Sequence, residues 1–175
     1  MDIQHGPYQQ VRRPIRNRMR NLDELKLRQI ADGGDHKPPS SELVTEFESA
    51  FDIVLPTDYI ALLMYSNGGY PELDSVIPIG MNESGRLSIN RFYRLDENRC
   101  DTEGLWRVMK VWKPILGHGL LPVASDGGGN QFVLDLRANA CGVYFCIHDE
   151  KFLLQHVSDS FGKLIDSLHI NPDFI

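Results

Sequence analysis

The chain has 175 residues, 42% of them apolar, and a net charge of −6, which suits one domain with a tail and needs no scaffold of disulfides. No run approaches the roughly 18 apolar residues of a membrane helix. Met1-Asp2-Ile3-Gln4-His5-Gly6 lacks the basic start and apolar stretch of a secretory signal, so a cytoplasmic, membrane-free protein is expected. Residues 1–39 carry eight Lys/Arg against five Asp/Glu, whereas residues 40–175 carry ten against nineteen. A body that acidic repels phosphate backbones and suits a basic protein partner, although it also serves plain solubility. Cys100, Cys141 and Cys146 form no C-x-x-C; reduced packing cysteines are expected.

In chain order, residues 1–18 read as an arm, in which Val11–Arg18 is basic and proline-interrupted. A short helix is expected over Met19–Ala31 with Leu22, Leu25 and Ile30 apolar, ending at Gly33-Gly34. Lys37-Pro38-Pro39 then reads as a linker. This divides the chain into an arm and short helix (1–39) and a body (40–175). Ser40-Ser41 can cap a helix Glu42–Phe51 with Leu43, Phe47 and Ala50 or Phe51 on one face. Leu55-Pro56 starts a second helix to Ser66, with proline in the first helical position. It is apolar on most sides and so expected to be buried, and Asn67-Gly68-Gly69 stops it.

Strands are expected at Ser75–Ile79, Arg86–Leu95, Leu121–Ser125, Gln131–Leu136, Gly142–His148 and Phe152–His156. A helix over Thr102–Trp112 presents Leu105, Val108, Met109 and Trp112. A last helix, capped by Ser158 or Asp159, presents Phe161, Leu164, Ile165 and Leu168. Helices, then a mostly antiparallel sheet with an inserted helix, then a terminal helix give an α+β single domain with an N-terminal extension.

Chemistry is harder to find. Asp126-Gly127-Gly128-Gly129-Asn130 is followed by a strand, so it is neither a P-loop nor a dinucleotide fingerprint. It has too few oxygen side chains for calcium and reads as a hairpin loop whose glycines supply positive φ. The six histidines make no zinc signature. Ser125, Asp126 and His118 lack the G-x-S-x-G turn of a hydrolase. Asp96-Glu97 and Asp149-Glu150 read as solvated turns, and Cys146 with His148 as a packing pair. No catalytic set, metal or cofactor is expected.

Phe47-Glu48, then Leu55-Pro56-Thr57-Asp58-Tyr59, then Ser66-Asn67-Gly68-Gly69 resemble the opening of the SUKH superfamily, the Smi/Knr-type domains. That pattern is an apolar helix containing Glu, then Leu-Pro-x-Asp-Tyr, then an Asn-Gly-Gly stop. Leu121-Pro122-Val123-Ala124, the Gly-rich turn and Phe132-Val133-Leu134-Asp135-Leu136 resemble its second hallmark. The resemblance spans about residues 41–169 and excludes the first 39. It implies a non-catalytic α+β domain with a sheet of about six strands. Bacterial members look like immunity proteins that neutralise nuclease or other toxins; eukaryotic relatives look like scaffolding regulators. A basic, nuclease-like toxin is therefore the expected partner, with a regulatory scaffold as the alternative. Contact is expected at Asp126, Asn130, Asp149 and Glu150, with Glu72 and Asp74, and with Tyr70 or Tyr93 as aromatic anchor.

Overall fold

Helix α1 runs Ser41–Phe51 in a computed structural model that describes residues 19–29, 36–137 and 142–174. Its cap is Ser40, extended, whose hydroxyl accepts the Leu43 N–H at 3.1 Å. The buried stripe is Val44 and Phe47, with Leu43 and Phe51 half-buried; Ala50 points to solvent. Helix α2 is Thr57–Tyr65. Pro56 is its extended capping residue, one position earlier than expected. Tyr59, Leu62 and Leu63 are buried, but Met64 and Tyr65 are 49% and 46% exposed, so the helix is one-sided after all. A nine-residue helix packed on one flank exposes its opposite face, whatever its composition.

The continuous strand expected over residues 86–95 is two strands in two sheets. Strand β1 (Ser75–Val76) pairs with β2 (Leu87–Ser88) as a small antiparallel ribbon. Strand β3 (Arg91–Phe92) instead starts an antiparallel sheet with β4 (Leu120–Ser125), β5 (Gln131–Asp135), β6 (Val143–Ile147) and β7 (Leu153–Ser158), in that order. The chain changes sheets between Ile89, whose N–H donates to Asp74 O, and Asn90, whose N–H donates to Ser125 O. Pro122 cannot donate to the ladder, and the register slips just after it, between Pro122 and Ala124.

Period-two alternation sends Phe132, Leu134, Val143 and Phe145 into the main core with the helices. Val133, Cys146 and Leu120 face the other way, onto Trp112 and Leu116. Those two belong to α3, Leu105–Leu116, which follows Gly104. Layers on both faces explain why β5 and β6 read as nearly continuous apolar runs. Helix α4 is Phe161–Ser167, capped by Ser160 rather than Ser158 or Asp159; Phe161, Leu164, Ile165 and Leu168 are buried as expected. The α+β class with a mostly antiparallel sheet and flanking helices is thus observed.

Residues 19–29 pack on this body. The expected helix there is, among the described residues, one 3-10 turn at Leu22–Leu25, whose two leucines join the main core. Arg28 and Tyr70 exchange both backbone hydrogen bonds at 2.9 Å. Residues 11–18, Ile30, Gly33-Gly34 and Cys141 lie outside the described residues.

Candidate partner-binding site

The strand register brings many of the expected contact residues to one end of the sheet. Arg91 pairs with Ser125, Ser125 with Gln131, Gln131 with Cys146, and Ile147 with Leu153. The β4–β5 loop (126–130) and the β6–β7 turn (148–152) therefore neighbour each other. Gly69 pairs antiparallel with Phe92, so residues 70–74 also run toward that end, at the far side of β3.

Asp126 and Asn130 bind each other. Asp126 Oδ1 accepts the N–H groups of Gly128 and Asn130 at 2.8 Å, and Oδ2 accepts Asn130 Nδ2 at 2.8 Å. Asn130 Oδ1 in turn accepts the His148 N–H at 3.0 Å and the ring Nδ1–H at 2.8 Å, which assigns the proton to Nδ1. The two side chains thus lock one loop to the next turn. Of the three glycines only Gly129 has positive φ (95°), fewer than expected for this loop. Asp149 and Glu150 are exposed at the adjacent turn and, among the described residues, form no ion pair.

The remaining expected contacts are less free. Glu72 is exposed but pairs with Lys26 at 2.9 Å. Asp74 is half-buried and accepts the hydroxyls of Ser75 (3.1 Å) and Ser88 (3.0 Å), stitching the β1–β2 ribbon. Tyr70 is half-buried, its hydroxyl donating to Glu103 Oε1, which also takes Arg91. Tyr93 is 4% exposed and donates to Gln131 Oε1 at 2.6 Å; burial pushes its phenol pKa up. As a core residue it cannot anchor a partner, which corrects the expectation for it: its ring joins the main core rather than facing solvent.

The residues of the opening motif turn out to be internal ties. Glu48 Oε1 accepts the Leu55 N–H at 2.7 Å, and Asp58 Oδ2 accepts the Gly162 N–H at 2.6 Å, 104 residues away, in the first turn of α4. Asp58→Ala should therefore lower the unfolding free energy by about 1–2 kcal/mol, and Asp58→Asn by less, checked by urea unfolding. Asn67 does not stop α2, whose terminal cap is Ser66. It is fully buried, with Nδ2 donating to Lys37 O and Leu95 O at 2.8 Å and Oδ1 accepting Leu95 N–H at 2.7 Å. Gly68 and Gly69, at φ 81° and 123°, let the chain lie against the edge of β3: a Cβ on Gly68 would meet Arg94 Cβ at 3.0 Å.

A buried charge cluster next to Asn67 has no counterpart in the reading of motifs. Arg94 is 3% exposed and binds both carboxylate oxygens of Asp101 through Nε and Nη2. Asp96 lies 3.4 Å from its Nε and Glu103 3.7 Å from its Nη1. His36 Nδ1–H donates to Asn67 O, and its Nε2 lies 3.4 Å from Arg94 Nη1. Asp96, expected as a solvated turn residue, is only 6% exposed because loop 96–104 folds back onto Arg94. Four acids within nine residues after Arg94 (Asp96, Glu97, Asp101, Glu103) were the available signal.

Other chemistry is dispersed. Ser125 is buried at one end of β4, whereas His118 precedes the other end and lies 3.7 Å from Asp52. Cys146 is buried, which raises its thiol pKa, and His148 is held by Asn130 instead. Among the described residues no group of three or more His, Cys, Asp or Glu could hold a metal ion, and no helix is long and apolar enough to cross a membrane. Comparison with curated proteins returned no match. The profile of the SMI1 / KNR4 family (SUKH-1) matches residues 38–167, from just before α1 through the whole of α4. By that match, and with the fold it requires in place, the chain belongs to the SMI1 / KNR4 family (SUKH-1).

Proposed function

We propose that this chain is an immunity-type protein of the cytoplasm that binds a cognate toxin one to one and masks its basic, nucleic-acid-binding surface. The observation that carries the reading is the pair of exposed carboxylates without ion-pair partners, Asp149 and Glu150. They stand beside a loop rigidified by Asp126 and Asn130, on a chain of net charge −6. A nuclease presents Lys and Arg to phosphate, and a preorganised acidic edge competes for the same groups while raising the association rate. Glu72 and Tyr70, at the same end of the sheet, extend the contact. In this reading the protein works by occlusion: no catalysis, cofactor, membrane or direct nucleic-acid contact is involved.

Asp149→Lys with Glu150→Lys should weaken toxin protection at least about tenfold while leaving the melting temperature unchanged, since among the described residues neither side chain is bonded. Unchanged protection would remove this turn from the interface. A pull-down with neighbouring gene products, washed at low and high salt, tests the partner class. A basic toxin domain lost as salt rises supports masking; recovery of only housekeeping regulators favours the scaffold alternative.

A further inference from the structure

Helix α3 carries Arg107, Lys110 and Lys113 and no acidic residue, inside a strongly acidic body. Among the described residues, none of the three forms an ion pair. Lys113 lies over the Phe51 ring, whereas Arg107 and Lys110 stand on the outer face that exposes Val111 (51%) and Ile115 (44%). Trp106 packs on Phe47 and Phe51 of α1, whereas Trp112 leans the other way, its ring meeting Phe152 edge-on at 6.0 Å. At about 100° per residue the order around the helix from Trp106 is Lys110, Arg107, Val111, Ile115, Trp112. The surface therefore runs from cations through aliphatic side chains to Phe152 and Leu153, exposed at 39% and 54%, and then to Asp149 and Glu150.

The turn is built to hold that order. Lys151 and Phe152 are successive non-glycine residues with positive φ (56° and 60°), closed by Leu153 N–H donating to Glu150 O. That backbone matches a tight hairpin turn, but glycine or asparagine normally fills it and a bulky residue there is strained. The strain is sustained where it sets Phe152 on Trp112 and leaves Leu153 outward.

We infer that this surface is a two-fold interface with a second copy of the chain. A two-fold axis through an apolar centre brings each side of a patch onto the opposite side of its copy. Here it sets Arg107 and Lys110 of one chain over Asp149 and Glu150 of the other, twice. A patch of apolar side chains with unpaired cations on one flank and unpaired anions on the other is complementary to itself. Lys151 leaves the acidic turn net negative. The inference does not rest on the toxin reading, because it is tested on the chain alone. If both hold, toxin and second copy compete for Asp149 and Glu150.

Sedimentation velocity at low salt over about 1–100 µM should show the wild-type chain passing from monomer to dimer, with the dimer weakened by salt. Val111→Asp with Ile115→Asp should stay monomeric throughout. Arg107→Glu with Lys110→Glu, and Asp149→Lys with Glu150→Lys, should each be monomeric alone and form a dimer when mixed, because both charge contacts are then restored. All six positions are exposed, so circular dichroism should match the wild type. A wild-type chain monomeric over the whole range, a dimer that survives either charge reversal, or a mixture that stays monomeric would overturn the inference.

Discussion

Asn67→Ala should lower the unfolding free energy by about 3–4 kcal/mol, a large share of the roughly 5–15 kcal/mol available to a small domain. The side chain acts as one more residue of a strand: it accepts from Leu95 N–H and donates to Leu95 O, as a sheet neighbour would, and its second amide proton reaches Lys37 O. The two bonds to Leu95 form where water cannot replace them, since Asn67 is fully buried and Leu95 is too. Alanine takes the side-chain partner from both the N–H and the carbonyl of buried Leu95. Asn67→Asp should be worse, because a carboxylate places charge against two carbonyl oxygens and loses both donors. Urea unfolding with an unchanged slope and a lowered midpoint would verify this; a loss under about 1 kcal/mol would mean that water or a backbone shift replaces the clamp.

Removing Arg94 should be comparably damaging. Arg94→Met keeps much of the volume but leaves Asp101, Asp96 and Glu103 facing one another with their shared cation gone. Breaking a buried pair from one side typically costs about 3–5 kcal/mol, since a charge stays desolvated without compensation. Adding Asp101→Asn to Arg94→Met should recover part of the loss. Disrupting the exposed Lys26–Glu72 pair, by contrast, should change stability by no more than about 0.5 kcal/mol. If Arg94→Met were as mild as that surface change, the cluster would be open to solvent and could itself serve as a binding site.

The cluster and the clamp show why some of this protein was hidden in its sequence. Neighbours along the chain suggested that Asp96 and Glu97 turn in water, but Asp96 is buried by a loop that folds back onto Arg94 through Asp101 and Glu103. Asn67-Gly68-Gly69 looked like a helix stop because glycine follows an apolar helix. The glycines are needed for close approaches to distant segments: Gly68 to residues 92–94 and Gly69 to the Arg28 carbonyl, each too near for a Cβ. Tyr93 looked like an aromatic anchor by type, and Asp126 and Asn130 like free contact groups; the first is core and the other two are spent on each other and on His148.

What the amino-acid order determined by itself is whatever depends on local periodicity and caps. Ser40 caps α1, the Phe161-Leu164-Ile165-Leu168 stripe buries α4, and the strands from Leu120 to Ser158 alternate with turns at the right places. The motifs in their order were also enough to point to the family. Only the tertiary structure decided the rest: the division of residues 86–95 between two sheets, the burial of the Arg94 cluster, and the meeting of the β4–β5 and β6–β7 loops at one end of the sheet. Those features depend on which strand lies next to which. That choice is set by long-range packing, for which a 3.6- or two-residue period carries no information.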